Sequence, residues 1–242
     1  MSSKRKRWRT AAVAALVVCG IVGLALVGFQ SALHRVPEFY AEAIAIPVAE
    51  QEAAGETLER NVLALHNEVR DSDRWSAVFT DEQINGWLAA DLPEKFPEVL
   101  PPEIQDPRVA FAPDQLQIAC RYAGDAVTSV VSLTLEVRLA EEPNTLAVRI
   151  CGARAGLVPL PLKQFLDRVT DSVRNGDLLV RWVQSAGDPV ALVTFAESGP
   201  QDGDAQLVLE HIEIRAGEVH LAGRTVLPDR PSESPSDAES GR

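Results

Sequence analysis

A chain of 242 residues, 46% of them hydrophobic and 5% aromatic, is long enough to bury a core and too apolar to be disordered throughout. Five of its 23 Lys and Arg residues fall within residues 1–9 without an acid, which leaves 18 against 35 acids, a net of −17, for the remainder. A domain so acidic is repelled by phosphate backbones and anionic headgroups, which argues against nucleic acid as a partner and against polybasic contact with a membrane surface.

Residues 1–10 form a basic tail that includes Lys4, Arg5, Lys6, Arg7 and Arg9. Residues 11–29, AAVAALVVCGIVGLALVGF, are uncharged and almost wholly apolar. As a helix this run spans ~28 Å, close to the ~30 Å hydrocarbon core of a bilayer. The preceding basic cluster predicts a cytoplasmic N-terminus, hence a single-pass cell-membrane protein with its main domain outside the cytoplasm. Cleavage as a signal peptide and lipidation at Cys19 are the rival readings. The apolar run exceeds the ~7–15 residues of a signal core, Gln30-Ser31-Ala32 is a poor cleavage site, and Val18 is too large to precede a lipidated Cys.

Residues 30–51 read as a linker, with Phe39 and Tyr40 near the outer interface, and residues 52–228 as an extracytoplasmic domain. Leu58, Val62, Leu65 and Val69 share one helical stripe, predicting a helix over 53–70. Arg74 to Phe79 reads as a short extended piece. Thr80-Asp81-Glu82-Gln83 fits a capping box that starts a helix, with Ile84, Trp87 and Leu88 as its buried face. Leu92-Pro93 is the expected end of that helix. Asn85, set amid this apolar helix, is expected to bond a neighbouring strand or loop.

After the Pro-rich stretch 93–107 the period changes from 3.6 to 2. Val109 and Phe111, a turn at Ala112-Pro113-Asp114, then Leu116, Ile118 and Cys120 predict a hairpin. From Val127 to Leu139 a long strand alternates Val131, Leu133, Leu135, Val137 and Leu139 with Ser132, Thr134, Glu136 and Arg138. Leu146, Val148 and Ile150 continue the alternation. Pro161 opens a helix with Leu162, Phe165, Val169 and Val173 on one face, followed by candidate strands at 178–183 and 190–196. A last hairpin turns at Ala216-Gly217, with Ile214 opposite Val219 and Ile212 opposite Leu221. Residues 229–242, rich in Ser, Pro and acids, form a disordered tail. The expected fold class is α+β: one N-terminal transmembrane helix, then a long curved antiparallel β-sheet packed on helices.

No nucleophile elbow, zinc-protease helix, phosphate-binding loop or dinucleotide fingerprint is present, so no catalytic residue, cofactor or metal is expected. Cys120 and Cys151 lie in the expected oxidising space, where a bridge is conceivable, but strand parity points them to opposite faces. His211, Glu213 and His220 cluster on the last hairpin, where a solvated polar face outweighs zinc binding. Asp167 and Asp171 at i, i+4 read as a solvated helix face.

The anchor, Phe79-Thr80, Gln83-Ile84-Asn85, Trp87-Leu88, Arg154-Ala155-Gly156 and Pro159-Leu160-Pro161-Leu162 resemble the YpmS-like family of single-pass membrane proteins of unknown function. More distantly they are similar to LmeA-like and other TULIP lipid-binding domains. The likeness covers roughly residues 75–175 and the anchor; Trp87 and the stretch 93–107 have no counterpart in the pattern. It implies an apolar groove for acyl chains between Val131, Leu133, Leu135 and Val137 of the sheet and Phe165 and Val169 of the helix. For any one of these residues the default reading is the ordinary core of a closed domain. Two functions are therefore expected first, binding of a lipid or other amphiphile or docking of a closed-core module on an envelope protein, with an enzyme whose site carries no recognisable motif as the third reading. The membrane, through residues 11–29, is a partner under each.

Overall fold

The computed structural model describes residues 32–124, 128–160, 179–185, 188–195 and 206–226. Among these the chain is α+β, with three helices and ten strands. Helices α1 (Glu38–Ala45) and α2 (Val48–Asp71) lead into β1 (Arg74–Thr80) and α3 (Asp81–Lys95). Strands β2 (Ile104–Ala112), β3 (Gln115–Ala123), β4 (Thr128–Leu139), β5 (Thr145–Ala155) and the short β6 (Val158–Pro159) follow. The last four are β7 (Leu179–Ser185), β8 (Asp188–Thr194), β9 (Gln206–Arg215) and β10 (Glu218–Val226). The expected transmembrane helix at 11–29, the helix carrying Phe165 and Val169, Asp167 and Asp171, and the tail 229–242 lie outside the described residues. No helix among the described residues is long and apolar enough to cross a membrane.

Two antiparallel sheets form. The larger runs β2-β3-β4-β5-β8-β7, with β6 paired to β5, and the smaller runs β1-β10-β9. The last hairpin has the register that its alternation predicts: Arg215 faces Glu218, Ile214 faces Val219 and Ile212 faces Leu221. A bulge after Ala222 sets Gly223 opposite Leu209 and seats the Trp75 indole over the glycine. The inner face of this small sheet, with Trp75, Phe79 and Ile214 all buried, packs on α2.

The capping box at α3 forms. Thr80 Oγ1 accepts from Gln83 N at 3.2 Å, and Gln83 Oε1 accepts from Thr80 N at 3.3 Å. The helix does not stop before Pro93 but runs to Lys95 with the proline inside its last turn. Only one turn remains there, and Phe96 N donates to Leu92 O at 2.9 Å to close it, so the missing N–H costs little more than one terminal bond. The buried side of α3 is Asn85, Gly86 and Leu92, whereas Ile84, Trp87 and Leu88 are half-buried. The apolar period had pointed one step away because α2 crosses at a glycine. A Cβ on Gly86 would stand 2.6 Å from Gly55 N and closer still to the Gln51 carbonyl, so the two backbones approach as only glycines allow.

The linker at 30–51 contains α1 and the first turn of α2. Tyr40, expected at a bilayer interface, is 2% exposed because α1 packs against β2. On the expected stripe of α2, Val69 is buried and Leu58 and Leu65 half-buried, but Val62 is 50% exposed, since the small sheet covers only the C-terminal part of that face.

Candidate functional site: the apolar face of the large sheet

β4 is the spine of the large sheet. Its unbroken register with β3 places Leu116 opposite Leu135, Ile118 opposite Leu133 and Cys120 opposite Val131. On its other side Val131 faces Ala155, Leu133 faces Ala153, Leu135 faces Ile150 and Val137 faces Val148. The rows continue across β8 and β7, where Val148 faces Ala191 and Ala191 faces Trp182. The predicted groove residues Val131, Leu133, Leu135 and Val137 thus share one face, and that face stays apolar across six strands. Phe165 and Val169, the predicted opposite wall, lie outside the described residues.

β4 is not packed like a core strand. Of its twelve residues only Ser129 is buried, and all four groove residues are half-buried. Trp182, in the same lateral row as Val137, has its indole Nε1 buried without a hydrogen-bond partner, a donor that an interior normally satisfies.

The ends of this face differ. At one end β9 crosses the tips of two hairpins. Asn144, in the β4–β5 turn, accepts from Leu209 N at 2.9 Å and donates to Leu207 O at 2.5 Å. Asp114 N, in the β2–β3 turn, donates to Ile214 O at 3.0 Å. The small sheet thereby seals the Leu139 end of β4. At the other end, Ser129 Oγ donates to Leu33 O at 2.7 Å and Leu157 N donates to Ala32 O at 2.9 Å. Gly156, at φ +58, has no room for a Cβ against these same two carbonyls. The Val131 end of the face therefore begins where the chain arrives from residues 11–29.

The opposite face is polar. Glu136 pairs with Arg138 and Arg149, and these guanidinium groups hold its carboxyl below the usual range. A concavity of about 640 Å³ lies on this face beneath residues 35–42, walled by Gln117, Ser132, Thr134 and Arg154. It is separate from the predicted groove, with which it shares only Leu133.

Cys120 and Cys151 are both free thiols. Cys120 sits opposite Val131, and Cys151 is the extra residue of a β5 bulge beside Thr134 and Leu135, too far along β4 for a bridge. Burial pushes the Cys120 thiol up, which leaves it a poor nucleophile. Glu213 pairs with Arg215 at 2.7 Å and with His211 at 3.6 Å, whereas His220 pairs with Glu218 at 2.7 Å, so the three side chains of the His211–Glu213–His220 trio do not meet at one point. No metal-binding group occurs among the described residues. Sequence reading missed Arg108, which is 5% exposed in β2 and which no motif marks in the sequence.

The fold and site define an α+β protein built on a large antiparallel sheet with one extended apolar face. No family model, no curated protein and no solved structure matches the chain. The resemblance to YpmS-like proteins therefore rests on the sequence motifs alone.

Proposed function

We propose that this protein is a single-pass, membrane-anchored domain outside the cytoplasm that binds a lipid or other amphiphile along the apolar face of β4, without catalysis. One observation carries the reading. A stripe of half-buried Val131, Leu133, Leu135 and Val137 runs from the end of the sheet held against Ala32 and Leu33 to an end sealed by β9. With residues 11–29 in a bilayer, an acyl chain enters such a stripe from the membrane side and stops at the seal. Twelve residues of strand span ~40 Å, ample for an extended acyl chain.

The test is photocrosslinking in native membranes with a diazirine-bearing acyl lipid, followed by peptide mapping on the full chain. Adducts on peptides covering 128–139 and 145–155 support the groove. Adducts confined to 11–29 would mean that lipid touches only the anchor, and the groove reading would fall.

A second reading, docking on an envelope protein, draws on a different feature. Val62 and Leu63 of α2 are 50% and 61% exposed and adjacent, an apolar patch on a helix that is polar around it. Crosslinks from Leu63 to another envelope protein, with no lipid adduct in the groove, would favour it.

A further inference from the structure

Between α3 and the first residues of β2 lies a separate pocket of about 240 Å³. Leu88 and Leu92 of α3, Phe96 and Leu100 of the following loop, and Ile104 and Arg108 of β2 line it. The other five are apolar, Gln105 and Asp106 add polar groups beside Arg108, and Phe96 at the pocket's edge is 52% exposed. Arg108 is 5% exposed, a rare state for a guanidinium without a counter-ion. Its Nη1 donates to the Pro107 carbonyl at 2.7 Å, but Nε is buried without an acceptor. No carboxylate among the described residues is within ion-pair distance of it. Asp106, two residues earlier and also on the pocket wall, is paired with Arg121. Burial pulls the Arg108 pKa down, against the nearby charge of Asp106 and that of Tyr40 of α1, both of which act to raise it.

We propose that this pocket is a binding site for a small apolar carboxylate, its head on Arg108 and its tail among Leu88, Leu92, Phe96 and Leu100. A desolvated cation with no ion-pair partner, Asp106 being engaged by Arg121, is unfavourable, and an apolar residue of the same volume would ordinarily serve stability better. A carboxylate supplies both the missing charge and paired acceptors that match the guanidinium fork. One guanidinium beside Asp106 suits a monoanion better than a phosphate dianion, which calls for more donors. The volume lies below the ~300–1,000 Å³ typical of drug-sized ligands, so the guest is a short-chain acid rather than a diacyl lipid. The pocket sits at the β2 edge, outside the six-strand stripe, and stands independently of the groove.

The experiment uses the full chain in nanodiscs, with empty nanodiscs as reference, and titrates octanoate and octanol by calorimetry. Octanoate is expected to bind saturably at one site, at least tenfold tighter than octanol. Arg108→Met should bring octanoate down to the octanol level while raising Tm, because the buried charge is gone. Phe96→Asp, at the exposed edge, should weaken octanoate at least fivefold with Tm unchanged. Equal affinity for the two probes in the parent protein would overturn the proposal. So would undiminished octanoate binding by either variant, and a fall in Tm for Arg108→Met would assign Arg108 to the fold instead.

Discussion

The side chain of Asn85 substitutes for a strand at the edge of the large sheet: its Oδ1 accepts from Val109 N at 2.7 Å, and its Nδ2 donates to Val109 O at 2.8 Å. One turn earlier Asp81 Oδ2 accepts from Phe111 N at 3.1 Å. α3 thereby covers the open edge of β2, which otherwise presents unpaired backbone groups to other chains. Replacing Asn85 by Ala strands one donor and one acceptor, each worth about 1–3 kcal/mol when shielded from water. Asn85→Ala is expected to lose about 2–4 kcal/mol in denaturant unfolding and to aggregate more readily. Asn85→Asp, which keeps only the acceptor, should lose nearly as much. A loss under about 0.5 kcal/mol for both would mean that water replaces the amide, and that α3 does not hold the edge.

Asn144 plays the corresponding part at the far end of the sheet, and its backbone adds a second requirement. Its φ of +51 is a conformation that Asn and Gly tolerate better than other residues, and its amide bridges Leu207 and Leu209 of β9. The two contributions separate by substitution. Asn144→Gly keeps the backbone and loses the bridge, whereas Asn144→Ala loses both. We expect about 1–3 kcal/mol for Gly and about 1 kcal/mol more for Ala. Hydrogen exchange should show amides of β9 opening first in both variants. Unchanged protection of Leu209 would disconnect Asn144 from the seal.

The legibility of the fold followed the range of the interactions. Both hairpins with short turns, the capping box and the long alternating β4 rest on neighbours within a few residues, and each formed where its pattern placed it. The buried side of α3 was misjudged because apolar period favours Ile84, Trp87 and Leu88, while the actual contact is a glycine crossing and a side-chain amide, neither of which carries a hydrophobic signal. Tyr40 was misplaced for a related reason, and Arg108 carried no signal that set it apart. A tyrosine just after an anchor and an arginine in a strand look amphipathic, and only the packing of α1 on β2 withdraws the first from water. Of the candidate groove, the shared face of Val131, Leu133, Leu135 and Val137 was legible from period 2. Its sealed end was not, since that depends on β9, some seventy residues further on.

The polar face makes a pH prediction. Glu136 is held below the usual carboxylate value of 4.5, first by its hydrogen bond to Arg149 Nε at 2.9 Å and then by the charges of Arg138 and Arg149. A carboxyl depressed in the folded state contributes stability that is fully present above its unfolded value and is lost as pH falls through the folded one. The Tm of the parent protein should therefore exceed that of Glu136→Gln at pH 7, and the gap should close as pH is lowered below about 4.5. Raising salt should narrow the gap at pH 7, because the pairs are near solvent. A gap that persists unchanged to pH 2 would show that Glu136 acts by packing rather than by charge.

Leu135 separates a groove from a closed core. It lies mid-strand on the apolar face, opposite Leu116 on one side and Ile150 on the other, and is half-buried. In a closed core, truncating such a leucine removes packed neighbours on every side and costs about 2–5 kcal/mol. In a groove it has withdrawn only part of its surface from water, and the cost falls below about 1.5 kcal/mol. Binding adds a second criterion, because a ligand that contacts Leu135 stabilises the parent more than the variant. With the full chain stripped of lipid, Leu135→Ala is expected to cost little. After lipid is restored, the difference between the two proteins should widen as the acyl chain fills the stripe in the parent alone. If the large loss is already present without lipid, the face is a closed core and the amphiphile has no place on it.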